Sequence, residues 1–168
     1  MGKTSGGNRK IKPYGKEYLK RMQEAQEMQA SGEYSSVTMS KSGGGYVAIE
    51  KSSKKHSIDE IEAATILANY GYKVILKNEA GQAVTPDGYI FSISFEQRTP
   101  TSTSVKKALD HAKSKTAEIA LIYDEHDIYH KADIIRGVED FEAKSKYRFK
   151  QIIVMTQDGK IHRHKHNK

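Results

Sequence analysis

The sequence predicts a three-layer α/β domain built on a mixed central sheet and preceded by a basic, flexible N-terminal arm. Three observations carry this expectation. From residue 57 onward, segments with helical spacing of apolar residues are interspersed with short β-branched runs, as in layered α/β domains. An Asp-Gly turn at Asp158-Gly159 joins two of those runs, so the sheet contains antiparallel pairs and is mixed. Residues 1–56 instead are rich in Gly, Ser and Lys and show no comparable pattern.

In that arm the Gly43-Gly44-Gly45 triplet, flanked by Ser40 and Ser42, reads as a flexible connector. Tyr14 to Ala30 consists of good helix formers, but Tyr18, Met22 and Met28 make only a thin apolar stripe, so the helix is marginal without a partner. The compact domain, 57–168, starts at Ser57-Ile58-Asp59-Glu60, a capping box that feeds a helix with Ile58, Ile61, Ala64, Ile66, Leu67 and Ala68 at helical spacing. Asn69-Tyr70-Gly71 ends it. Tyr72 to Leu76 is a strand, and a second strand-like region spans Tyr89 to Gln97. The loop Pro100-Thr101-Ser102-Thr103-Ser104 supplies an N-cap for a helix from about Val105 to Lys115. The apolar strand Ile119 to Tyr123, a helix from about Tyr129 to Lys144, the strand Gln151 to Met155 and its hairpin return through Ile161 complete the order α, β, β, β, α, β, α, β, β.

A chain of 168 residues, 36% of them hydrophobic, supports one core and thus one domain plus tails. With no cysteine there is no disulfide, thiolate zinc site or thiol nucleophile. No apolar run reaches the roughly 20 residues of a membrane span, and the polar first residues do not make a signal peptide, so a soluble, cytoplasmic protein without membrane contact is expected. The net charge of +7 is unevenly placed: residues 1–56 hold 11 cations and 5 anions, residues 57–143 hold 9 and 15, and residues 144–168 hold 8 and 1. An acidic body with basic ends suits a carboxylate site and a polyanionic ligand, although solubilising tails give the same pattern.

The most informative run is Pro86-Asp87-Gly88-Tyr89-Ile90-Phe91-Ser92-Ile93-Ser94-Phe95-Glu96-Gln97-Arg98, which sets an acid, a strand-like stretch, a second acid and a cation in the order used by metal-dependent nucleases. Each part also has a plain structural account. Pro-Asp-Gly is a common turn, Glu96 and Arg98 share one strand face as a charge pair would, and Glu60 is the third residue of a capping box.

Together with the element order, these residues resemble the PD-(D/E)XK nuclease superfamily of restriction-endonuclease-like folds. The narrower likeness is to the C-terminal tRNase domains of contact-dependent growth inhibition toxins and their phage-associated relatives. It rests on Glu60-x3-Ala64-x2-Leu67-Ala68-x2-Gly71-Tyr72-x-Val74, Pro86-Asp87-Gly88-Tyr89-Ile90, Phe95-Glu96, the Thr/Ser-rich loop, and Ile152-Ile153-Val154 with Asp158-Gly159-Lys160. The resemblance covers roughly residues 57–163 and implies a toxin-like endonuclease acting on RNA, with tRNA favoured, and an immunity protein as a possible partner. It implies that Asp87 and Glu96 bind Mg2+ or Mn2+, with Glu60 assisting on the first helix; such hard ions take carboxylate oxygens. Arg98 falls where the family has its cation and would contact the phosphate. Thr99, Thr101, Thr103, Ser104 and Lys106 are candidate substrate contacts, followed by Lys107, at a helix N-terminus.

The chain departs from the family pattern twice. Arginine keeps its proton where the family's lysine can lose it, and Phe91-Ser92 replaces a turn pair such as Asn-Gly. One uninterrupted strand would hold Asp87 and Glu96 about 30 Å apart, so the nuclease reading requires the chain to reverse at Phe91-Ser92. The rival is a catalytically degenerate module of the same fold that binds nucleic acid or a protein without cleavage. His126 and His130 have the spacing of a zinc pair on a helix, but their segment reads as a loop, and His162, His164 and His166 alternate with cations in the tail. Tyr89 and Tyr46 are the tyrosines most suited to base stacking.

Overall fold

The computed structural model describes residues 9–51, 56–78, 86–100 and 104–165. Their elements are α1 (Lys16–Ser31), β1 (Tyr34–Met39), β2 (Tyr46–Glu50), α2 (Ile58–Asn69), β3 (Lys73–Leu76), β4 (Gly88–Ile90), β5 (Ile93–Arg98), α3 (Val105–Ser114), β6 (Ile119–Asp124), α4 (Lys131–Lys144), β7 (Gln151–Thr156) and β8 (Ile161–Lys165). The strands make one mixed eight-stranded sheet in sequence order, consistent with a three-layer α/β fold. Among the described residues no helix is long and apolar enough to cross a membrane.

The described residues divide into two compact units, 9–78 with 87–93, and 86 with 94–165. In the first, β1 and β2 are antiparallel, β2 and β3 parallel, and β3 and β4 antiparallel. Helix α1 covers one face, where Ala25 packs with Tyr46 and Ala48 and is flanked by Met28, Val37 and Ile75. On α2 the inward residues are Ala63, Ala64, Leu67 and Ala68, whereas Ile58 and Ile61 face solvent. The capping box forms as the sequence requires: the Glu60 amide donates to Ser57 Oγ at 3.2 Å and the Ser57 amide to Glu60 Oε1 at 2.9 Å.

The segment expected to be a flexible arm contributes ordered structure instead. Tyr46 to Ile49 is a short apolar run that pairs with β3 as β2 and buries Tyr46, Val47 and Ala48. The Gly43-Gly44-Gly45 triplet is a packing device and not a connector. A Cβ on Gly45 would lie 2.2 Å from the Tyr72 carbonyl oxygen, and one on Gly43 2.0 Å from that of Asn69. The buried face of α1 consists of Tyr18, Arg21 and Ala25. Arg21 occupies a core position because its Nη1 donates to the carbonyls of Gly44 at 3.1 Å and Gly71 at 2.8 Å while Glu17 holds its Nε.

In the second unit β5, β6 and β7 are parallel, and β8 returns antiparallel to β7. Helices α3 and α4 lay Val105, Leu109, Val138 and Phe141 on Ala120, Ile122, Ile152 and Val154. At the α3–α4 crossing a Cβ on Gly137 would stand 2.4 Å from Val105 Cβ, so only glycine permits this approach.

The strand-like region from Tyr89 to Gln97 is divided into two strands, β4 and β5. Phe91 and Ser92 both lie in the left-handed region, with φ of 48° and 69°, and form the turn between β4 and β5. Two consecutive positive φ values are the signature of a tight hairpin turn that Asn-Gly would ordinarily supply. Here Phe91 is held from outside: its ring lies 5.8 Å from that of Tyr72, 5.2 Å from the Arg9 guanidinium and 5.9 Å from that of Arg21, and its amide donates to the Lys73 carbonyl.

Candidate functional site

The first unit gathers Asp87, Glu60 and His56. Asp87 precedes β4 and is buried, with its carbonyl accepting from the Lys77 amide at 2.8 Å to fix the start of the hairpin. Glu60 reaches back from the first turn of α2, so the cap that starts the helix also sets this carboxylate. Its Oε1 lies 3.4 Å from His56 Nδ1, and its carboxylate shares a hydrogen bond with the Asp87 carboxyl. Burial pushes the Glu60 pKa up, but the hydrogen bond from His56, the Ser57 amide, the His56 charge and Asp87 together hold it well below the usual carboxylate range. Glu60 therefore serves both the capping box and the carboxylate pair.

The second unit gathers Glu96, His111 and Arg98. Parallel pairing sets Glu96 level with Ala120, and the carboxylate is buried. His111, from α3, brings Nε2 to 2.9 Å from Glu96 Oε2. Burial, then the charges of Arg98 and Lys115, push the His111 pKa down, which favours a neutral ring whose Nε2–H donates to Glu96. Arg98 itself is solvent-exposed at the end of β5.

Of the substrate candidates, Ser104 caps α3 by accepting from the Lys107 amide at 3.3 Å. Lys106 is paired with Asp110 at 2.7 Å, Lys107 is exposed, and Thr99 is half-buried beyond β5. Thr101 and Thr103 lie outside the described residues. Tyr46 is not a stacking surface, since it is buried under α1 with its hydroxyl donating to Glu24 at 2.8 Å, whereas Tyr89 is half-buried beneath Lys77.

His126 and His130 do not share a helix. His126 is in the loop after β6, and His130 is the N-cap residue of α4, its amide donating to Asp133. That loop is fixed by buried Asp124, whose two carboxylate oxygens accept from the Ile128 and Tyr129 amides.

Sequence reasoning missed His56 and His111. His56 had a readable signal, because a residue just before an N-cap is four from the Glu of the capping box. His111 had none: it borders the buried face of an amphipathic helix, and only tertiary packing selects its partner.

No family model matches the sequence, and no curated protein matches it. Among solved structures, a chain of the CdiA-CT/CdiI toxin and immunity complex from Burkholderia pseudomallei is similar in fold, with a TM-score of 0.51 and 21% identity over 65% of this chain and 83% of that one.

Proposed function

We propose that this chain is a toxin-type, metal-dependent endonuclease that cleaves RNA, with tRNA the favoured class. Asp87 and Glu96 would hold Mg2+ or Mn2+, Glu60 would assist through Asp87, and Arg98 would contact the scissile phosphate. The observation that carries the reading is the turn at Phe91-Ser92. A reversal there is what the motif requires, since one uninterrupted strand would hold the two acids about 30 Å apart. The donor set fits the ion, because carboxylate oxygens suit a hard divalent cation.

When bound, that ion would polarise the phosphate and lower the pKa of its water. The residues supply the rest. Glu60, held ionised by His56 and the Ser57 amide, shares a hydrogen bond with Asp87 and so orients it, and the proton in that bond would be released on ligation of the ion. Arg98 offers a fixed fork of donors to a phosphate oxygen and cannot take a proton. The fold likeness to a chain of a toxin and immunity complex supports the toxin reading and makes an immunity protein a sensible partner to seek.

A non-cleaving, nucleic-acid-binding or assembly module is the second reading, favoured by Arg98 in the place of a lysine. Incubation with total tRNA and Mg2+ or Mn2+, with and without chelator, separates the two. Chelator-sensitive fragments that vanish in Asp87→Ala and Glu96→Ala support cleavage, and intact RNA with every divalent ion overturns it.

A further inference from the structure

We propose that His111 is a positioning residue that fixes the Glu96 carboxylate for its metal, an inference that rests on the function proposed above. Glu96 stands on a strand whose register is set by β6, but its side chain has three torsions, and ordering it costs rotamer entropy. A ligating carboxylate that must settle on binding loses affinity through that cost; one already held does not. His111 does the holding. Its Nε2 is 2.9 Å from Oε2, the Glu96 side chain is 6% exposed, and the imidazole is anchored on α3 by the packing of Ala108, Leu109 and Ala112.

A purely structural bond tying α3 to β5 would have the same geometry, so the test needs a quantity that such a bond would not change. Mn2+ is titrated into the wild-type chain, Glu96→Gln, His111→Leu and His111→Gln, with free Mn2+ read by electron paramagnetic resonance and the metal-free melting temperature of each recorded. The Gln amide nitrogen reaches about the place of the imidazole Nε2 and can donate in its stead. The expected result is a roughly 10–100-fold loss of Mn2+ affinity in His111→Leu and near wild-type affinity in His111→Gln. If Glu96→Gln weakens binding but His111→Leu does not, this inference fails and the metal reading stands. If the wild type takes up no Mn2+, or Glu96→Gln binds it as well as wild type, the metal reading fails and takes this inference with it. Should His111→Leu not fold, His111→Asn replaces it, because its shorter amide falls short of Glu96. Equal affinity of the Asn and Gln variants then overturns the proposal, and weaker binding by Asn alone supports it.

Discussion

The Arg9 guanidinium stands 5.2 Å from the ring centroid of Phe91, the first residue of the β4–β5 turn. A bulky side chain at positive φ costs about 1–3 kcal/mol, and each cation over an aromatic face returns about 0.5–1 kcal/mol or more when desolvated. Two guanidiniums and the Tyr72 ring together are of the right size to offset the strain. Phe91→Ala should therefore lower stability by about 2 kcal/mol, since it removes the contacts and keeps the positive φ. Ser92→Gly, at an exposed position with φ of 69°, should be neutral or stabilising by up to about 0.5 kcal/mol. Denaturant melts decide this, and an unaffected Phe91→Ala would show that the ring does not hold the turn.

Gly45 distinguishes a connector from a packed crossing. A Cβ there meets the backbone oxygens of Tyr72 at 2.2 Å and Ala68 at 2.6 Å, neither of which can rotate away. Gly45→Ala is expected to cost about 3 kcal/mol. Gly32→Ala, where nothing lies within 4 Å but φ is 81°, should cost about 1 kcal/mol. Equal melting temperatures for the two variants would return the triplet to the role of a loose linker.

These two positions show where sequence reasoning stops. The order of elements from Ser57 onward is legible because each rests on local chemistry: the Ser57–Glu60 cap, the Ser104 cap and the Asp158-Gly159 turn with φ of 91° at Gly159. Strand β2 is not legible, because four apolar residues beside a glycine triplet look like loop until β3 and α2 come close enough to require those glycines. The α1 stripe misleads for a similar reason, as Arg21 is core only through the carbonyls of Gly44 and Gly71. The Phe91-Ser92 turn depends on Arg9, 82 positions away in sequence. In the candidate site the carboxylates could be named from their motif, whereas the histidine against Glu96 arrives from another element and has no local mark.

Glu24 links α1 to the sheet and gives the first unit an acid-sensitive contact. Burial raises its pKa, but hydrogen bonds from Lys73 at 3.3 Å and Tyr46 at 2.8 Å, with the Lys73 charge, outweigh this and leave it below the ordinary 4.5. A depressed folded pKa means that the unfolded chain takes up the proton first, so the contribution is complete above pH 4.5 and is lost as pH falls through the folded value. Wild type should thus exceed Glu24→Gln in stability at pH 7, with the gap closing below pH 4.5. A gap that stays constant down to the acid transition would rule out this linkage.

Arg98 is the residue on which the two functional readings diverge most. It is exposed at the end of β5, and its charge contributes to keeping His111 below its ordinary pKa. As a fixed donor fork it can steady a phosphate, but it has no accessible neutral form with which to accept a proton from water. A lysine there keeps the positive charge and gains the ability to titrate when the site is closed by substrate. Arg98→Lys should therefore retain RNA binding and raise the single-turnover cleavage rate, by roughly a hundredfold at most if the whole of an acid–base contribution is restored. Arg98→Gln should bind more weakly and cleave more slowly, because both charge and fork are gone. Faster cleavage by the lysine variant would identify arginine as an attenuating residue in a working nuclease, and a lysine variant slower than wild type would show that the fork is what the reaction uses.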